Sequence, residues 1–159
     1  MPNPIHRYAI HGTCSLVLIF VVYTEAPAQF LINLNGGNVN MTLSSGTAGG
    51  QLINVGSTTA SLTYWRPIVL SKITVSTVCI GQSFNLQVVA TSATAGVAQT
   101  AVSLINGNPA MDFIRDIPRT GSLYATCILQ YTASATFDQG NSAELSNDVH
   151  TVTYTFQSQ

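Results

Sequence analysis

The stretch SLYATCILQYTASATF, residues 122–137, decides the fold. Leu123, Ala125, Cys127, Leu129, Tyr131, Ala133, Ala135 and Phe137 fall on one side of it. Tyr124, Thr126, Ile128, Gln130, Thr132, Ser134 and Thr136 fall on the other. A two-residue rhythm of this length is a strand signal. One face is apolar and the other rich in hydroxyls, as in an antiparallel sheet that packs one side and wets the other. Fully extended, the stretch would reach roughly 50 Å at about 3.3 Å per residue. Ordinary strands hold about 5–6 residues. The segment must therefore bulge, bend between two sheets or project beyond the domain body.

The same rhythm recurs on both sides of it. Val152, Tyr154 and Phe156 alternate with Thr151, Thr153 and Thr155 in a last strand. Ile73, Val75 and Thr77 lead to Cys79, and Gly81-Gln82 turns the chain into Phe84, Leu86 and Val88. Val102 and Leu104 begin a strand that Asn106-Gly107-Asn108-Pro109 ends, a turn composition with a physical basis. Leu62 and Tyr64 share one face of another strand, which closes at Trp65-Arg66-Pro67. Phe30, Ile32 and Leu34 alternate, as do Val39, Met41 and Leu43. No segment carries helical periodicity. About eight short strands with frequent turns predict an all-β fold, an antiparallel sandwich in preference to a barrel. Residues 36–56, studded with glycine, read as an irregular or flexible arm.

Residues 16–23 are unbroken apolar, preceded by Arg7 and followed by Ala26-Pro27-Ala28. That order of basic start, apolar core and A-x-A site reads as a signal peptide over residues 1–28. The core is shorter than the about 20 apolar residues a membrane helix needs. Residues 29–159 would then form one exported domain, secreted or held at the cell surface, with no stable membrane span. The plainer alternative for residues 16–23 is a buried strand.

Charged residues make up 7% of the chain and the net charge is −1, whereas 46% of residues are hydrophobic. Such hydrophobicity argues against disorder. Lys72 is the one lysine, which excludes a counterion-displacing nucleic-acid surface and a polybasic membrane anchor. A surface carried by Ser, Thr, Asn and Gln repels copies of itself weakly, which favours a homo-oligomer or polymer.

Of the three cysteines, Cys14 falls in the leader. Cys79 and Cys127 remain, and an even pair in an exported chain predicts a disulfide. A two-cysteine zinc site is disfavoured, because His150 is the sole histidine outside the leader. His150 reads as a strand residue near an edge. No G-x-S-x-G elbow accompanies it, and a Cys–His nucleophile would need a thiol kept reduced outside the cell. Asp112 and Asp116 lie among Arg115 and Arg119, a composition for local ion pairs in a turn or single helical turn. The sequence thus predicts no catalytic set. Asp138, Asn141, Glu144 and Asp148 offer oxygen ligands of the type Ca²⁺ takes, without EF-hand spacing. Tyr64, Trp65 and Arg66 form a candidate aromatic platform for a glycan, against the alternative of a core tryptophan. Apart from that Ca²⁺, no cofactor is expected.

The closing strand, Val152-Thr153-Tyr154-Thr155-Phe156, resembles the terminal strand of chaperone–usher-type pilus subunits and of spore-coat-like secreted bacterial β-domains. The resemblance covers residues 150–157. It implies assembly by strand addition at a sheet edge, with Phe30, Ile32 and Leu34 as the donated strand and Val152, Tyr154 and Phe156 as its counterpart. The expected function is therefore a structural subunit of a fibre or surface layer. A glycan-binding module is the alternative.

Overall fold

The structure, a computed structural model, describes residues 32–43, 54–65, 69–119, 123–136 and 148–159. The proposed leader, Phe30, Arg66, Phe137, Asp138, Asn141 and Glu144 lie outside the described residues.

Among the described residues, nine strands follow in chain order: β1 (Ile32–Asn35), β2 (Val55–Trp65), β3 (Ser71–Val78), β4 (Asn85–Thr91), β5 (Val97–Ala98), β6 (Val102–Ser103), β7 (Met111–Ile117), β8 (Tyr124–Ser134) and β9 (Thr151–Ser158). Among the described residues there is no helix. All pairings are antiparallel. One sheet has the order β1-β2-β8-β4-β6, the other β5-β7-β3-β9.

The deciding stretch becomes β8, the spine of the five-stranded sheet. It neither bends between sheets nor projects. β2 pairs along its whole length, from Trp65↔Tyr124 to Val55↔Ala133, and β4 pairs along its C-terminal half. A bulge between Ser57 and Ala60 in β2 takes up the excess twist of so long a pair. Ala125, Cys127, Leu129, Tyr131, Ala133 and Ala135 are buried, as the alternation requires. Leu123, assigned to the same face, is instead exposed, because it precedes the paired strand.

Inward residues of both sheets belong to one hydrophobic cluster. Leu62, Leu129, Ile73 and Phe113 sit fully inside it, each worth about 1.5–3 kcal/mol of burial. A polar bond also joins the sheets within it. The Tyr131 hydroxyl of β8 meets the Tyr154 hydroxyl of β9 at 2.7 Å. Residues 39–43 belong to neither sheet, yet Val39, Met41 and Leu43 are buried while Asn40 and Thr42 are exposed. This part of the expected arm is thus irregular but packed.

Two expectations need correction. The Asp112–Arg119 stretch is neither turn nor helical turn. Residues 111–117 form β7, with Phe113, Ile114 and Ile117 buried. Its register against β3 shifts twice, and Asp116 takes φ 52°, so the two-residue rhythm is broken there. The expected local ion pair is present: Asp112 meets Lys72 at 2.7 Å and Arg115 at 3.5 Å. Nor is there a Cys79–Cys127 disulfide: both residues are buried and no bond joins them. Cys79 follows β3, and the chain then passes Ser83-Phe84 into β4, where Asn85 pairs with Ser134. Cys127 lies seven residues back along β8, roughly 23 Å at about 3.3 Å per residue. A disulfide needs Cα atoms about 4.4–6.8 Å apart.

Candidate functional site

Three places in this frame bear on function. The first is the pair of sheet edges. β9 ends the four-stranded sheet and β1 the five-stranded one. Val152, Tyr154 and Phe156 point inward and are buried in this chain's own core. They hold the strand down, leaving Thr151, Thr153, Thr155 and Gln157 on the outer face, half-buried. Ile32 and Leu34 lie in β1, which pairs with β2 of the same chain through Ile32↔Tyr64 and Leu34↔Leu62. Among the described residues β9 pairs only with β3.

The second is the aromatic pair on the outer face. Tyr64 and Trp65 are successive strand residues and therefore face opposite ways. Tyr64 is buried, and its hydroxyl donates to the Ala95 carbonyl at 2.5 Å. It is no part of a surface platform. Trp65 is instead met edge-on by Tyr124, at 4.9 Å between centroids and 80° between planes. Tyr124 is 55% exposed. The direct pairing Trp65↔Tyr124 explains the contact. The signal was latent in the sequence as two aromatics at the closing ends of two alternating strands.

The third is a buried polar cluster at the end of β3, which sequence reasoning missed. Cys79 follows β3 and opens a corner in which Gly81 takes φ 75°. Gln82 and Asn106 brace that corner. Asn106 Oδ1 accepts the Cys79 N–H at 2.9 Å, and Gln82 Oε1 accepts the Asn106 N–H at 2.8 Å. Gln82 Nε2 donates to the Phe84 and Leu104 carbonyls, both at 2.9 Å. The next residues are held by Asp148. Its Oδ2 accepts the N–H groups of Ser83 and Phe84 at 2.9 Å each, and its Oδ1 accepts the Ser83 hydroxyl at 2.8 Å. Two residues on, where the extended chain enters β9, His150 faces the same interior. Its Nδ1 lies 3.1 Å from Thr77 Oγ1, and its Nε2 lies 4.0 Å from Asp148 Oδ2.

Cys79, Asp148 and His150 are 1%, 4% and 1% exposed. A thiol sulfur, a carboxylate oxygen and an imidazole nitrogen come within 4.8 Å of one another. Burial lowers the His150 pKa below its ordinary value, and the Asp148 charge opposes that only in part. Burial also raises the Cys127 thiol to about 11, against a weaker opposing bond at Leu62. Of the four residues expected to ligate Ca²⁺, Asp148 alone is described: it is buried, and its oxygens accept from two backbone amides and a hydroxyl.

Comparison with protein-family profiles, characterised proteins and solved structures gives no match to this chain. Among the described residues, no helix is long and apolar enough to cross a membrane.

Proposed function

We propose that this chain is an exported structural subunit, a β-sandwich whose copies join along the β9 edge into an oligomer or fibre at the cell surface. One observation carries the reading. β9 is an eight-residue edge strand, TVTYTFQS, with no charged residue and no proline. Natural proteins blunt such edges with charge, proline, bulges or brevity, because an open row of backbone donors and acceptors is a template for another chain. The other edge strands are shorter, at four residues for β1 and two each for β5 and β6. Addition of a strand from a second copy would use backbone hydrogen bonds for affinity and the threonine face for fit. The weak self-repulsion of a chain with net charge −1 favours the same association.

Light scattering after size exclusion and electron microscopy of the purified protein test this. Oligomers or filaments that T153K/T155K converts to monomers are expected. A wild-type protein that stays monomeric across the micromolar to millimolar range refutes the proposal.

The edge-on pair of half-buried Trp65 and exposed Tyr124 favours a second reading, stacking on a glycan ring. Tryptophan emission that changes on titration with a glycan panel in wild type, and not in Y124S, is its expected outcome. Emission unmoved by every glycan eliminates it.

A further inference from the structure

We propose that Cys79, Asp148 and His150 bind a single Zn²⁺ ion. The inference stands independently of the assembly reading. Three donors of different chemistry converge from the β3–β4 corner and the entry to β9, and all are more than nine-tenths buried. Thiolate, imidazole and carboxylate together are a zinc set, too soft for Ca²⁺ or Mg²⁺.

The surrounding bonds orient these donors as outer partners of a metal site do. With the Thr77 hydroxyl donating to the Thr151 carbonyl at 3.4 Å, its oxygen can accept from His150 Nδ1–H at 3.1 Å. In that tautomer the ring lone pair is on Nε2, on the side of Asp148. Nε2 and Asp148 Oδ2, both acceptors, then face each other at 4.0 Å in a buried space. A cation held by Nε2 and the free position of Asp148 Oδ1 removes the conflict. Asp148 is fixed by two amides and a hydroxyl, which use three of the about four acceptor positions of a carboxylate and leave one for a metal.

Size fits with a small closure. Tetrahedral zinc with bonds of about 2.0–2.3 Å places its donors about 3.3–3.6 Å apart. The donors here lie within 4.8 Å, so binding requires them to close by about 1 Å. Three protein donors leave a fourth position. Beside His150 and Asp148 lies a recess for one water-sized group, walled by Met41, Leu43, Phe84 and Leu86.

The test uses purified protein stripped of metal, with Zn²⁺ and its spectroscopic stand-in Co²⁺ as probes. One equivalent of Co²⁺ should give tetrahedral d–d bands and a thiolate charge-transfer band. Both should vanish in C79S and persist in C127A. In wild type, one equivalent of Zn²⁺ should raise the unfolding midpoint by several degrees and slow alkylation of Cys79 in mild urea at least tenfold, leaving Cys127 unaffected. Because those readings use wild type, a C79S variant that fails to fold does not leave the question open. Alkylation of Cys79 indifferent to Zn²⁺, a charge-transfer band retained in C79S, or stronger binding of Ca²⁺ than of Zn²⁺ overturns the proposal.

Discussion

Replacing Tyr131 by phenylalanine removes one oxygen from the centre of the core, and its cost depends on what is left behind. The hydroxyls of Tyr131 and Tyr154 lie 2.7 Å apart, one from each sheet, on side chains that are 0% and 4% exposed. Y131F strands the Tyr154 oxygen in an apolar interior. A buried hydroxyl that loses its partner costs about 1–3 kcal/mol, whereas replacing both partners by apolar groups of the same shape is nearly neutral. Each single variant should therefore lose about 2 kcal/mol, and Y131F/Y154F no more than about 1 kcal/mol. The coupling between the sites is then about 3 kcal/mol.

Urea midpoints at neutral pH, with the slope checked for constancy, read this directly. By heat, each single variant should melt about 4–8 °C lower, at about 2–4 °C per kcal/mol. The double variant should melt within a few degrees of wild type. If the two single losses simply add in the double variant, the hydroxyls do not depend on each other, and the polar link between the sheets is refuted.

Alkali should weaken the fold through Cys127. Its thiol titrates at 9.0 when free of the fold and at about 11 inside it, so the folded state holds its proton while the unfolded state releases one. That stabilisation is complete below pH 9.0 and lost as pH rises to about 11, by about 3 kcal/mol at about 1.4 kcal/mol per unit. Urea midpoints measured against pH should fall less steeply in C127A across that window; parallel curves contradict the assignment. Asp148→Ala should cost about 3–5 kcal/mol in metal-free protein, because the Ser83 and Phe84 amides lose a charged acceptor; a loss below about 1 kcal/mol would show that water replaces it. Gly96→Ala should lose about 3 kcal/mol or more, since φ is +83° and the added carbon would lie 2.6 Å from Ile114 Cγ2 and 2.8 Å from the Arg115 carbonyl oxygen. A melting temperature unchanged in G96A would mean the β5–β7 contact yields.

Most of the strands were legible because one face of each is buried and the side-chain period is two. β8 and β9 carry that rhythm unbroken. β7 was not legible, and the reason is local: Phe113 and Ile114 are adjacent and both buried, and Ile117 follows three residues later. That spacing imitates a helical turn, and only pairing with β3 through two register shifts makes a strand of it. Residues 39–43 show the reverse failure, since a correct alternation there belongs to a packed segment outside both sheets. The opposite facing of Tyr64 and Trp65 follows from the strand period alone, and grouping them as one platform overlooked it. The polar cluster was hidden for a different cause. Cys79 and Asp148 are brought together by tertiary structure, so spacing cannot reveal them. The one local trace is that Asp148 and His150 are two apart in an extended segment and so share a face.

The placement of charge bears on which edge joins copies. The strands of the five-stranded sheet contain no charged residue, and neither does β9. Among the described residues, the exposed or half-exposed charges are Lys72, Asp112, Arg115, Asp116 and Arg119, all on β3 and β7 or just beyond. The short β5 edge therefore lies directly against charge, with Val97 paired to Arg115. β9 itself carries none, and of its partners on β3 only Lys72, opposite Gln157, is charged. Lys72 is drawn to Asp112 on the far side of β3, so β7 and the β5 edge carry more charge than β9, and charge is one device that guards an edge against strand addition. Neutralising the guarded end is then the informative complement to charging the open one. R115T/D112N should create a second sticky edge and turn discrete oligomers into larger, polydisperse species in light scattering. If it leaves the size distribution unchanged while T153K/T155K still yields monomers, β5 is protected by its two-residue length and not by charge.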